Sequence, residues 1–185
     1  MDSITAFQGL RRLASGEIGT VAVAVKATLQ NDPTLAVLSY RDANGEQIDL
    51  DLRGSAEEIV ERYRLPTPPK AARGRPRLGV VAREITLMPR HWEWLGSQPG
   101  GASVALRKLV EEASKSSGGV DQTRTSRDAC YRFLSSMAGN LPYFEQATRA
   151  LYAGNQAGFR ELIAVWPMDV QVYALKLGTD AWPTP

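Results

Sequence analysis

Between positions 66 and 91 of this chain, Lys70, Arg73, Arg75, Arg77, Arg83 and Arg90 face a single acid, Glu84. The whole chain carries a formal net charge of only +2, so the block is a local feature. Cations gathered on a short stretch displace condensed counterions from phosphates, which makes a polyanion the natural partner. A solvated linker carries the same signature, and composition alone leaves both readings open. Enzyme chemistry has no comparable foothold: the chain holds no phosphate-loop GxxxxGK, no strand-linked GxGxxG, no GxSxG and no CxxC. His91 is the only histidine, and without neighbouring ligands it builds no metal site. It reads as a packing residue, or as a phosphate contact when protonated. Asp49 and Asp51 share one wet strand face, where such acids usually serve solubility; holding a cation is the minor alternative.

These side chains need elements to hold them. Prolines at 66, 68, 69 and 76 bar both helix and central strand from Pro66–Arg77, so this arm is expected to be extended and exposed. Leu78 to Leu87 is β-prone, with Ile85 and Leu87 on one face and Glu84 and Thr86 on the other. Pro89 suits the first turn of a helix, along which Met88, Trp92 and Leu95 recur at i, i+4, i+7. Gly96, Pro99, Gly100 and Gly101 stop that helix. Ser103 can cap the next one, whose apolar stripe is Leu106, Leu109, Val110 and Ala113.

Within the arm, Arg73–Pro76 reads RGRP and resembles the AT-hook. That resemblance implies a tetrapeptide lying along an A·T-rich minor groove, glycine admitting the backbone and arginine entering the narrow channel. Otherwise the same residues add only phosphate affinity. The strand–helix–helix order, with its Leu87-to-Leu95 spacing and the run SVALRKLVEEA, resembles the ribbon–helix–helix repressors. In that family two chains pair their strands into a ribbon that enters the major groove, so the resemblance implies a homodimer on duplex DNA. By position it implies Glu84 and Thr86 facing bases, and Gly101, Ala102 and Ser103 at a backbone phosphate. Two features depart from the pattern: the first helix is short, and Glu84 is repelled by phosphate, its best use being to accept from a cytosine amino group. Over most of its length, including GVVAREITLMPRHWEWL and ELIAVWPMDVQVYALKL, the chain resembles the bacterial family called domain of unknown function 2239, from which no activity carries over.

The flanks read as ordinary fold. Gln8-Gly9 suits a hairpin turn between ITAF and LRRLAS, and Glu17–Leu29 reads as a largely buried helix. LAVLSYR and EQIDLDL are strands joined at Asn44-Gly45, with Ile48, Leu50 and Leu52 on the covered face. Ser55 and Glu58 spell a capping box. After a flexible SSGGVDQ stretch, four helical stripes follow: Cys130, Phe133, Leu134, Met137; Pro142 to Ala153; Phe159, Leu162, Ile163, Trp166; and Val170, Tyr173, Ala174, Leu177.

The expected fold class is therefore α+β. It comprises an N-terminal ββαββα module (1–65), a basic linker (66–77), a ribbon–helix–helix-like segment (78–115) and a C-terminal helical bundle (123–180). With 43% hydrophobic residues, the 185-residue chain can bury a real core. No apolar run approaches the roughly 20 residues of a membrane span, no signal peptide is evident, and a lone cysteine fits a reducing cytoplasm. The expected function is DNA binding, with transcriptional regulation as its setting and no cofactor. Lys70, Arg73, Arg75, Arg77, Arg83 and Arg90 would meet phosphates. Glu84, Thr86, Gly101 and Ser103 would add groove and backbone contacts, and the flanking modules would support a dimer or sense an effector. The competing reading is a protein–protein or scaffold module in which residues 78–115 are only fold core, the strand joining the N-terminal sheet.

Overall fold

In a computed structural model of the chain, which describes residues 3–64 and 81–182, the first hairpin joins β1 (Ser3–Gln8) to β2 (Arg11–Glu17). Gly9 has φ of 56°, the positive value that the first position of a two-residue hairpin loop demands and that glycine adopts without a Cβ clash. Gln8 pairs with Arg11, so the loop is Gly9-Leu10, one residue later than expected. Helix α1 (Ile18–Asn31) follows, then β3 (Val37–Arg41), β4 (Gln47–Ile48) and α2 (Ala56–Tyr63). The four strands make an antiparallel sheet in the order β2-β1-β3-β4, and the expected ββαββα order holds.

The strand expected over EQIDLDL is cut to Gln47 and Ile48. Leu50 and Leu52 still pack, with Ile48, against the core under α1. Beyond Ile48, however, the backbone leaves the ladder: the N–H of Asp51 donates to the Tyr63 hydroxyl of α2 at 2.6 Å. At the start of α2, Ser55 accepts from the Glu58 N–H and the Glu58 carboxylate accepts from the Ser55 N–H, the capping box that the sequence spells. Ser55→Ala leaves a first-turn N–H without its acceptor, and the expected result is a loss of about 1 kcal/mol in urea unfolding.

β1 is buried on both faces, which explains why SITAFQ shows no alternation of apolar and polar residues. Ile4 and Ala6 meet Val21 and Val25 of α1 on one side. On the other side Phe7, with Tyr40 of β3, enters a larger core built by the C-terminal helices. These are the far end of α4 (Gly101–Met137), α5 (Phe144–Tyr152), α6 (Gln156–Ile163) and α7 (Met168–Leu177). Each of the four expected stripes supplies that core: Phe133 and Leu134 from α4, Leu151 from α5, Phe159 and Ile163 from α6, Val170 and Tyr173 from α7. Phe7, Tyr40, Phe133 and Tyr173 form an aromatic cluster, with ring centroids 4.7–6.4 Å apart. The sheet is thus a middle layer between α1 and the C-terminal helices.

The chain divides into two compact units, residues 1–65 with 120–185, and residues 66–119. In the second unit, residues 81–88 carry no strand, and Leu78 to Val80 lie outside the described residues. This corrects the expected strand over Leu78–Leu87 as far as it is described. A strand needs a neighbour for its N–H and C=O groups, and the described residues of this unit contain no other strand. The four-stranded sheet has β2 and β4 as its edges and includes none of residues 81–88. Helix α3 (Pro89–Ser97) begins with its proline at the first position, as expected. The SSGGVDQ stretch is helical rather than flexible, lying inside the 37-residue α4. Glycine costs a helix interior about 1 kcal/mol, but a helix already formed on both sides propagates through it. The Ser116 and Ser117 hydroxyls turn back onto the Ala113 carbonyl.

Candidate nucleic-acid interface

Four of the residues expected to bind phosphate, Lys70, Arg73, Arg75 and Arg77, lie outside the described residues. The others sit in the 66–119 unit. Arg83, Glu84 and Thr86 follow one another along the exposed stretch 81–88, and none makes a hydrogen bond or ion pair among the described residues. Arg90 is exposed in the first turn of α3, where its Nε lies 3.4 Å from Nε2 of the equally exposed His91. Gly101 opens α4 at φ of 73°, and its N–H donates to the Gln98 carbonyl. Because the helix starts there, Ser103 falls inside the first turn and is not the cap expected of it. Its carbonyl accepts from Arg107 Nε at 3.1 Å. Arg83, Glu84, Thr86 and Arg90 are therefore within one short stretch of exposed chain.

The apolar stripes of this unit are in water. Of Met88, Trp92 and Leu95 only Leu95 is buried, and of Leu106, Leu109, Val110 and Ala113 none is. Trp92 and Trp94 are 42% and 52% exposed, Val110 66%. Among residues 81–119 only Leu95 and Ala105 are buried. Ordering a residue costs roughly 1–2 kcal/mol, whereas burying an aliphatic side chain contributes about 1.5–3 kcal/mol. Two buried side chains contribute little against the ordering of this stretch, and its large apolar side chains stay in water.

The first unit holds a polar cluster around one carboxylate. Asp42, just past β3, accepts from Thr5 Oγ1 at 2.8 Å, Tyr173 OH at 2.9 Å and Lys176 Nζ at 2.6 Å. Its own N–H donates to the Ser3 carbonyl. Burial alone would raise the Asp42 pKa; the donors Lys176, Thr5, Tyr173 and Ser3 outweigh it and hold the carboxyl below its ordinary value. Tyr173 moves the other way, raised by burial and by the Asp42 charge. A carboxylate with this many donors and a phenol this hard to ionise make a structural staple rather than an acid–base pair. No sequence signal pairs Asp42 with Tyr173 and Lys176, which lie more than 130 positions away.

The remaining chemical candidates are occupied or inert. The Arg53 side chain, then its N–H, lowers the Asp51 pKa, and Arg62 approaches to 3.6 Å, so this carboxylate is engaged by two guanidinium groups. No three His, Cys, Asp or Glu among the described residues gather in a metal-binding group. Burial pushes the Cys130 thiol up to about 12, far from a nucleophile's range. Among the described residues no helix is long and apolar enough to cross a membrane.

A family model described as an uncharacterised protein conserved in bacteria, domain of unknown function 2239, matches residues 3–178. The chain belongs to this family. The match runs from β1 to Gly178, just past α7, so a domain of unknown function 2239 includes the basic arm, the exposed 81–119 stretch and both layers that cover the sheet. No curated protein and no solved structure matches the chain.

Proposed function

We propose that this member of the domain of unknown function 2239 family binds duplex DNA as a homodimer and acts in transcriptional regulation. The observation that carries the reading is the conjunction at 66–91: six cations to one acid, continuing into a stretch where Arg83, Glu84, Thr86 and Arg90 are all exposed. Lys70, Arg73, Arg75, Arg77, Arg83 and Arg90 neutralise phosphates. Thr86 reaches a base edge, and Glu84 accepts from a cytosine amino group. Ser103, in the first turn of α4, offers a main-chain donor to a phosphate, and Gly101, whose own N–H is given to the Gln98 carbonyl, lets the phosphate approach the helix start without a side chain in the way. Burial speaks for this reading over a scaffold role in which 78–115 is fold core, since only Leu95 and Ala105 of residues 81–115 are buried.

A salt series on duplex DNA tests it. With five or six phosphates contacted, affinity falls steeply, at a log–log slope near −0.9 per phosphate. Arg73→Ala combined with Arg75→Ala should make that slope shallower by roughly 1.8, the share of two phosphates. A weak, flat response that the double substitution leaves unchanged overturns the proposal.

A further inference from the structure

The apolar face of the 66–119 unit has a self-complementary charge pattern. Leu106 and Val110 line an open groove on α4 together with Arg107, Glu111, Ser114 and Lys115. Arg107 and Glu111 are one helical turn apart on the same flank of that groove. We infer that a second copy of this chain docks here, its α4 crossing antiparallel about a two-fold axis near Leu109. This deepens the homodimer of the reading above and rests on it.

Three features select a second copy as the occupant. A two-fold that reverses one helix on the other sets Arg107 opposite the other copy's Glu111, and Glu111 opposite its Arg107. A parallel, in-register crossing would set each charge against its like. Next, residues 81–119 hold five cations, Arg83, Arg90, Arg107, Lys108 and Lys115, against four acids, Glu84, Glu93, Glu111 and Glu112. The groove itself carries Arg107 and Lys115 against Glu111, with Lys115 and Glu111 paired at 2.8 Å, so two copies meet there with little net repulsion. Finally, Val110 on this groove is 66% exposed and Leu106 beside it is not buried, so the apolar lining of the groove is uncovered among the described residues. A stretch that bury so little by itself needs a partner present at all times, and another copy of the chain is always present.

Light scattering and sedimentation of the full chain over a range of concentrations give the dimer's dissociation constant. Val110→Glu should weaken it at least tenfold while leaving the thermal midpoint of unfolding of the core unchanged, because Val110 is 66% exposed. Arg107→Glu and Glu111→Arg should each weaken the dimer several-fold, and the two together should restore it, since the exchange regenerates both pairs. A chain that stays monomeric, a dimer indifferent to Val110→Glu, or a double exchange that fails to restore association each overturns the inference. DNA titrations on the same samples separate the two proposals. A steep salt slope with a dimer indifferent to Val110 leaves the DNA reading standing and removes this interface; a Val110-dependent dimer with a flat salt response does the reverse.

Discussion

Replacing Asp42 by alanine should destabilise the protein by about 2–4 kcal/mol, the usual consequence of leaving two buried hydroxyls without their acceptor. The side chain is only 8% exposed, and its oxygens serve Thr5 of β1 and Tyr173 and Lys176 of α7. Without the carboxylate, the Tyr173 hydroxyl and the Thr5 hydroxyl lose their acceptor in a place that water reaches poorly. Lys176 is half exposed and recovers hydration, so its share of the loss is small. Urea unfolding checks the size: the midpoint falls at an unchanged m-value. Acid unfolding checks the mechanism. The folded-state pKa of Asp42 lies below the ordinary value of an aspartate carboxyl, so the carboxylate's stabilisation is complete above that ordinary value. It fades as pH falls through the lower, folded-state pKa. The wild-type chain should therefore lose stability below about pH 4 more steeply than Asp42→Ala, while the difference between them stays constant from pH 5 to 7.

What the sequence made legible is what local pattern determines. Ser55 with Glu58, Pro89 at the head of a helix, and the stripes ending at Met137, Trp166 and Leu177 each declare their element through spacing within a turn or two. The turn at Asn44-Gly45 was equally readable, and Gly45 does take φ of 66°. Long-range meetings had no such signal. Nothing in β1 says that its Phe7 meets Tyr173, and nothing in the DANG turn says that Asp42 is a staple. The exposed unit failed in the opposite direction. Met88, Trp92, Leu109 and Val110 have the periodicity of core residues yet stay exposed, because periodicity marks an apolar face and not what covers it. For the candidate site, the composition of 66–91 identifies the charge, while Ser103 is no cap because the helix already starts at Gly101, a glycine of positive φ that follows another, Gly100.

Gly45→Ala should cost far more than a turn substitution normally does, about 3–5 kcal/mol against the 1–2 kcal/mol of left-handed strain alone. The added Cβ would fall on the backbone carbonyl of Ala129 in α4, well inside van der Waals contact, and main chain cannot step aside as a flexible side chain can. The turn would have to lift from the helix. Lifting breaks the bond from Arg132 Nη1 to the Asn44 carbonyl at 3.0 Å, and it strains the relay from Tyr40 OH to Ser136 to Gln47. Gly9 supplies the control, since it has a similar φ of 56° and nothing within 4 Å of its Cβ position. Gly9→Ala therefore measures backbone strain alone, and the excess at Gly45 measures the close approach of the sheet's turn to α4. Denaturant unfolding of the two variants should differ by at least about 2 kcal/mol. Equal losses would mean that the turn at Asn44-Gly45 moves off α4 without penalty, and that the contacts made by Arg132 and Ser136 do not hold the sheet to the helical layer.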